Sequence, residues 1–282
     1  MLKGLSNAGI GHQGDLESFI GLASTNGFQA VDTSGEELEA WLDAKGAEAV
    51  NAYLKQHDVI IGSIGLSPEW RHSEEEFQAG LVRLAKDAAA AAAVGCTRCC
   101  TYILPATDYE AARFMAQATR RLRTCAQILG AHGISLGLEF VGPHHLRTAW
   151  KNPFVWDIEG TLDFISAIGE ANVGLLFDSY HWYTNGNTYE DILKLRTDQI
   201  VHVHLNDAKD VPYTEALDND RVYPGEGVID LSAFLRGLRE IGFRGVVAQE
   251  ILTREEPEGT PEERAARSGE AYRSVYRAAG LA

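Results

Sequence analysis

Four residues of metal-binding type stand at or near the ends of four apolar segments that all lie downstream of residue 130 in this 282-residue chain. Glu139 lies near the end of Ile134–Phe140, Asp178 closes Val173–Asp178, His204 sits in Ile200–Asn206 and Glu250 closes Gly245–Glu250. A carboxylate or imidazole at the end of a buried strand is costly in a core and useful at a site. Two Glu, one Asp and one His make an oxygen-rich donor set with a single imidazole. Such a set suits one hard or borderline divalent ion: manganese first, with magnesium or cobalt, then zinc or nickel, as alternatives. Three carboxylates crowded together repel one another unless a cation lies among them. Each acid taken singly could cap a helix or pair with an arginine, but four consecutive strand ends favour the metal.

For these residues to meet, the elements carrying them must converge. Apolar, β-rich segments at Lys3–Ala8, Phe28–Thr33, Val59–Gly65 and Thr97–Ile103 precede the four just named. Between them lie helical patterns: from an Asp15 N-cap to Asn26, Glu36–His57, Ser73–Val94, Asp108–His132, Gly160–Gly169, Tyr189–Arg196, Leu231–Ile241 and Thr260–Ala279. Ser73-Glu-Glu-Glu opens its helix in capping-box fashion, and the last helix is expected to turn Tyr272, Val275 and Tyr276 inwards. Eight strand–helix alternations without a linker point to a single-domain (β/α)8 TIM barrel over residues 1–282, whose strands bring their carboxyl ends to one face. A doubly wound open sheet is the alternative. Gly9-Ile-Gly-His-Gln-Gly14 has the G-x-G-x-x-G spacing that fold would use, but without a clear acidic ribose partner (Asp32 comes early) it is read as a turn.

Composition narrows the function classes. The net charge is −15, with 40 acidic against 25 basic residues. This balance argues against nucleic acid as a partner and fits a small neutral substrate beside a bound cation. No apolar run approaches the roughly 20 residues of a membrane helix, and Met-Leu-Lys-Gly-Leu-Ser lacks a signal-peptide core, so a cytoplasmic protein without membrane partners is expected. Cys96-x-x-Cys99-Cys100 has no second cysteine pair, and with Cys125 it reads as small buried thiols rather than a zinc or redox motif.

Leu138-Glu139-Phe140, Phe177-Asp-Ser-Tyr-His181, His202-Val-His-Leu-Asn-Asp207, Pro224-Gly-Glu-Gly-Val-Ile-Asp230 and Gln249-Glu250 together resemble the xylose isomerase-like TIM-barrel superfamily. That superfamily contains sugar isomerases and epimerases, including inosose isomerases and ketose 3-epimerases. The resemblance covers essentially the whole chain. It implies that Glu139, Asp178, His204 and Glu250 hold one ion, and that His181 and Lys209 contact substrate. It further implies a reaction in which Glu139 and Glu250, on opposite faces of a planar enediolate, remove and return a proton α to a carbonyl. Where many ketose 3-epimerases carry a further Glu, six residues after the first metal Glu, this chain has His145. That departure leans away from free ketohexoses and towards inososes or 3-keto-glycosides.

Other residues were expected nearby. His144, His145 and Arg147 fall in the loop after the fifth strand, and His12 and His72 follow the first and third. Trp70, Trp150, Trp156 and Trp182 could wall a sugar ring or simply pack. His202, two residues before His204, reads as a core histidine, and Arg221 and Glu226 flank the proline-glycine turn as supports for the site. A lyase or dehydratase using the same enolate is the alternative activity, with an apurinic-site endonuclease or a non-catalytic barrel further off. The partner is a small sugar or cyclitol, and a homo-oligomer stays open.

Overall fold

The computed structural model describes residues 1–11, 14–255 and 257–281, so His12 lies outside the described residues. Eight parallel strands close into a barrel: β1 (Leu2–Leu5), β2 (Ala30–Thr33), β3 (Ile60–Gly65), β4 (Arg98–Ile103), β5 (Ser135–Phe140), β6 (Val173–Asp178), β7 (Ile200–Leu205) and β8 (Val246–Gln249). Neighbours in the barrel are neighbours in sequence, and β8 closes onto β1 with Gln249 opposite Leu5. Every strand expected from the sequence is present, shortened by one to three residues at some ends, with β1 starting one residue earlier than expected. The open-sheet alternative is excluded by closure.

Helices pack around the barrel, and their ends follow their sequences. Asp15 N-caps Leu16–Thr25, and Ser73 and Glu76 form a reciprocal capping box on Glu74–Ala93. The pattern read as one helix over Glu36–His57 is two, Gly35–Lys45 and Ala47–His57. Gly46 between them takes φ +82°, a left-handed value that ends the first helix. Tyr272, Val275 and Tyr276 of Pro261–Ala278 are buried, as expected. Cys96, Cys99 and Cys125 are buried and Cys100 half-buried, all four as free thiols.

Three features that the sequence did not announce shape the top of the barrel. A short helix, Ser179–Thr184, starts directly at the end of β6. Two-residue segments pair antiparallel: Ala106–Thr107 with Asn152–Pro153, and Asp207–Ala208 with Arg221–Val222. The second pairing folds the long loop after β7 back over the ends of β7 and β8. Asp207 pins that loop, its carboxylate accepting from the backbone N–H groups of Gly225 (2.9 Å), Gly227 (3.1 Å) and Ile229 (2.9 Å).

Candidate metal centre and its cavity

The strand registers bring the four candidate ligands together. Asp178 stands opposite His204 across β6 and β7, and His204 opposite Ala248 across β7 and β8. Glu139 faces Leu176 from β5, and Glu250 follows the last residue of β8. One donor atom from each of Glu139, Asp178, His204 and Glu250 lies within 4.8 Å of all the others. The imidazole sits centrally, with Nδ1 3.2 Å from Glu139 Oε1, 3.3 Å from Glu250 Oε2 and 3.9 Å from Asp178 Oδ2. Glu139, His204 and Glu250 line one side of a cavity of about 350 Å³ at the mouth of the barrel, together with Asp32, Tyr102 and Ser6.

Asp178 is held from several directions. Its Oδ1 accepts from Tyr180 N–H (2.5 Å) and so caps the short helix, while the Asn206 amide donates to both oxygens. Arg221, 3% exposed, reaches in from the folded-back loop. Its Nη1 donates to Asp178 Oδ2 (3.1 Å) and Glu250 Oε2 (2.8 Å), and Nη2 to Asp218 Oδ1 (2.8 Å). Sequence reasoning placed Arg221 behind the site. The structure puts it in direct contact with two cage carboxylates.

The charges at this centre pull one another's pKa values apart. Burial, then Glu250, raises Glu139 above the ordinary carboxylate range. Burial pushes Glu250 up too, but His204 and Arg221 outweigh it and hold the carboxyl well below that range. His204 is raised despite its burial, by Glu250, Asp32 and Glu139. Three ligand carboxylates face one guanidinium and an imidazole whose charged form they favour, a concentration of acceptor oxygens that a divalent cation would suit. The donor set, three carboxylate oxygens and one imidazole nitrogen, fits a hard or borderline divalent ion.

Not every expected residue reaches the cavity. His181 is 1% exposed beside the cage. Its Nδ1 accepts from Gly142 N–H (3.3 Å), and Nε2 lies 3.5 Å from Arg221 Nη2. Lys209 instead pairs with Asp220, half exposed, and does not line the cavity. His145 is exposed on the turn His144–Arg147, whose Arg147 ties Gly142 O and Asn185 Oδ1 together. Trp182 is turned into the core, its indole N–H donating to Thr188 O (3.2 Å) and its ring 5.4 Å from Phe234. Trp70, Trp150 and His72 line a separate cavity of about 220 Å³, and Trp156 lies under Arg147. Glu226 pairs with Arg267 at the surface. The core reading of His202 fits a side chain with no exposure whose Nε2 lies 2.8 Å from Asp32 Oδ2.

Fold and site together define a (β/α)8 barrel with a carboxylate–imidazole cage at the carboxyl ends of its strands. Residues 20–274 match the family described as xylose isomerase-like TIM barrel, and the chain belongs to that family. A solved xylose isomerase domain protein from Alicyclobacillus acidocaldarius subsp. acidocaldarius is 36% identical, with a TM-score of 0.90 over 99% of each chain. Inosose isomerase from Bacillus velezensis is 39% identical over 142 residues, 50% of this chain and 48% of that one. The chain thus spans about half the length of the curated relatives it matches. The fold is shared, at 22% identity, TM-score 0.79 and 98% coverage of each chain, with the IOLI protein solved with a zinc atom. No helix among the described residues is long and apolar enough to cross a membrane.

Proposed function

We propose that this protein is a divalent-metal-dependent isomerase or epimerase of keto-sugars or inososes, working by proton transfer at a carbon α to a carbonyl. The observation that carries the reading is the cage itself, with Glu139 from β5 and Glu250 just past the end of β8 both close to the Nδ1 of His204, at 3.2 and 3.3 Å. A divalent ion held by Glu139, Asp178, His204 and Glu250 would supply a Lewis acid for adjacent substrate oxygens. Glu139 and Glu250 are the proton-transfer pair: one takes the proton from the α carbon and the other returns it, at the same carbon for epimerisation or the next for isomerisation. Arg221 holds Glu250 and Asp178 in place and balances part of their charge. His181, its Nδ1 accepting from Gly142 N–H and its Nε2 3.5 Å from Arg221 Nη2, stands beside that guanidinium at the edge of the cage. The partial likeness to inosose isomerases supports a cyclic polyol ketone as substrate, and manganese is the first ion to try.

The test is incubation with manganese and a panel of inososes, 3-keto-glycosides and ketohexoses in D2O, followed by mass spectrometry and NMR. Deuterium uptake with otherwise conserved mass is the expected result. Loss of water or of an aglycone would assign a lyase instead. Glu139→Gln and Glu250→Gln should each abolish exchange in a folded barrel. Near-native turnover by either variant would refute the two-base assignment.

A further inference from the structure

Across His204 from the cage oxygens, and lining the same cavity, stands a carboxylate to which the proposed proton transfer gives no role. Asp32 lies on β2 where the ladder with β3 slips by a residue, between Val31 and Asp32. Such an irregularity re-aims a side chain, and here it turns Asp32 towards the barrel interior. Its Oδ2 lies 2.8 Å from His202 Nε2 and 3.7 Å from His204 Nε2. Its Oδ1 is buried with no hydrogen-bond partner. The carboxylate lies over Gly62, where an added Cβ would come within 2.6 Å of Oδ1. An ionisable group with an orphaned oxygen costs stability that an apolar residue would not. Something at this position requires the carboxylate.

His204 supplies the reason. Its Nδ1 faces the Glu139, Asp178 and Glu250 oxygens at 3.2 to 3.9 Å, while its Nε2 faces Asp32. A neutral imidazole carries one ring proton, so a free Nδ1 lone pair requires that proton on Nε2. At 3.7 Å the Asp32 oxygen stands just beyond hydrogen-bond reach of Nε2, but a carboxylate facing that nitrogen still favours the tautomer with its proton there. We propose that Asp32 is the positioning residue that fixes His204 as its Nε2–H tautomer and aims its Nδ1 lone pair into the cage, with His202 bracing Asp32 from the other side. Asp32, His202 and His204 also lie close enough to form a donor group of their own. A second ion there would need both nitrogens of His204 at once, one for each site, which the single-tautomer arrangement excludes.

The inference rests on the metal reading above, and its test separates the two. Zinc affinity is measured by chelator competition on the full chain, with Asp32→Asn, and with Lys86→Ala, an exposed helix residue far from the barrel mouth, as a surface control. We expect about a 10- to 100-fold weaker zinc dissociation constant for Asp32→Asn, with the control unchanged and circular dichroism native-like. On the unsubstituted zinc-loaded protein, long-range 15N–1H NMR of the imidazoles should show His204 protonated at Nε2. This second measurement decides the matter if Asp32→Asn fails to fold. Native-like zinc affinity in folded Asp32→Asn, a proton on Nδ1, or two zinc ions per chain would overturn the inference. No zinc, manganese or cobalt binding by the unsubstituted protein would instead overturn the metal reading on which it stands.

Discussion

Arg221→Met is the perturbation that probes the centre's electrostatics most directly. The Arg221 side chain is 1% exposed, and its guanidinium donates to Glu250 at 2.8 Å, Asp178 at 3.1 Å and Asp218 at 2.8 Å. Met keeps much of the volume and removes the charge, leaving buried carboxylate oxygens uncompensated. Breaking a buried ion pair from one side costs about 3–5 kcal/mol. At about 2–4 °C per kcal/mol for a chain of this order of size, that is a fall of roughly 6–20 °C in Tm. The assay is urea unfolding of chelator-treated protein followed by circular dichroism, from pH 7 down to pH 4. Against burial, His204 and Arg221 hold the Glu250 carboxyl low in the folded state, so the stability it contributes is present above the unfolded carboxylate pKa, about 4.3, and is lost as pH falls below that. In the variant the buried carboxyl shifts upwards and gains a proton more readily. The deficit should therefore shrink as the pH drops. A deficit below about 1 kcal/mol at pH 7, or one that stays constant to pH 4, would refute the claim that Arg221 neutralises the cage.

Three further outcomes are expected. Adding manganese at about 100 times its dissociation constant to chelator-treated protein should stabilise it by about 2.7 kcal/mol in the same urea assay; an unchanged midpoint argues against a metal centre. Trp182→Ala should cost about 3–5 kcal/mol of stability, because its ring packs in the core against Phe234; a raised KM in an equally stable protein would instead put Trp182 at the substrate. Burial pushes the Cys96 thiol up to about 11 and the Cys125 thiol up to about 12, so neither should react with Ellman's reagent at pH 8 until the chain is unfolded.

The parts of the molecule that were legible from sequence are those set by local pattern and by barrel geometry. Each strand carries its own apolar run, and convergence of strand ends follows from closure, so Glu139, Asp178, His204 and Glu250 could be grouped without knowing any contact. Gly46 splits a helix because a left-handed residue interrupts an otherwise continuous helical pattern. Trp182, which could have walled a sugar ring or packed, packs for a related reason. The chain after Asp178 turns helical at once, so successive side chains rotate by about 100°. That rotation leaves His181 beside the cage and carries Trp182 round to Phe234.

Arg221 and Lys209 show where local reading stops. Both are basic residues in the loop after β7, and nothing in either one's neighbours ranks it above the other. What separates them is the pairing of Asp207–Ala208 with Arg221–Val222 and the pinning of the Pro224–Ile229 turn by Asp207. Those contacts fold the loop so that Arg221 drops between Asp178 and Glu250 while Lys209 stays outside with Asp220. One electrostatic argument could have chosen between them. Three carboxylates brought to one point need buried positive charge, and a planar, always-charged guanidinium serves several carboxylates at once where a lysine ammonium is better left hydrated. Applied to the other side of the cage, a like argument singles out Asp32: a ligating imidazole favours an acceptor facing its second nitrogen, and a carboxylate pointing inwards from a strand across the barrel can provide it.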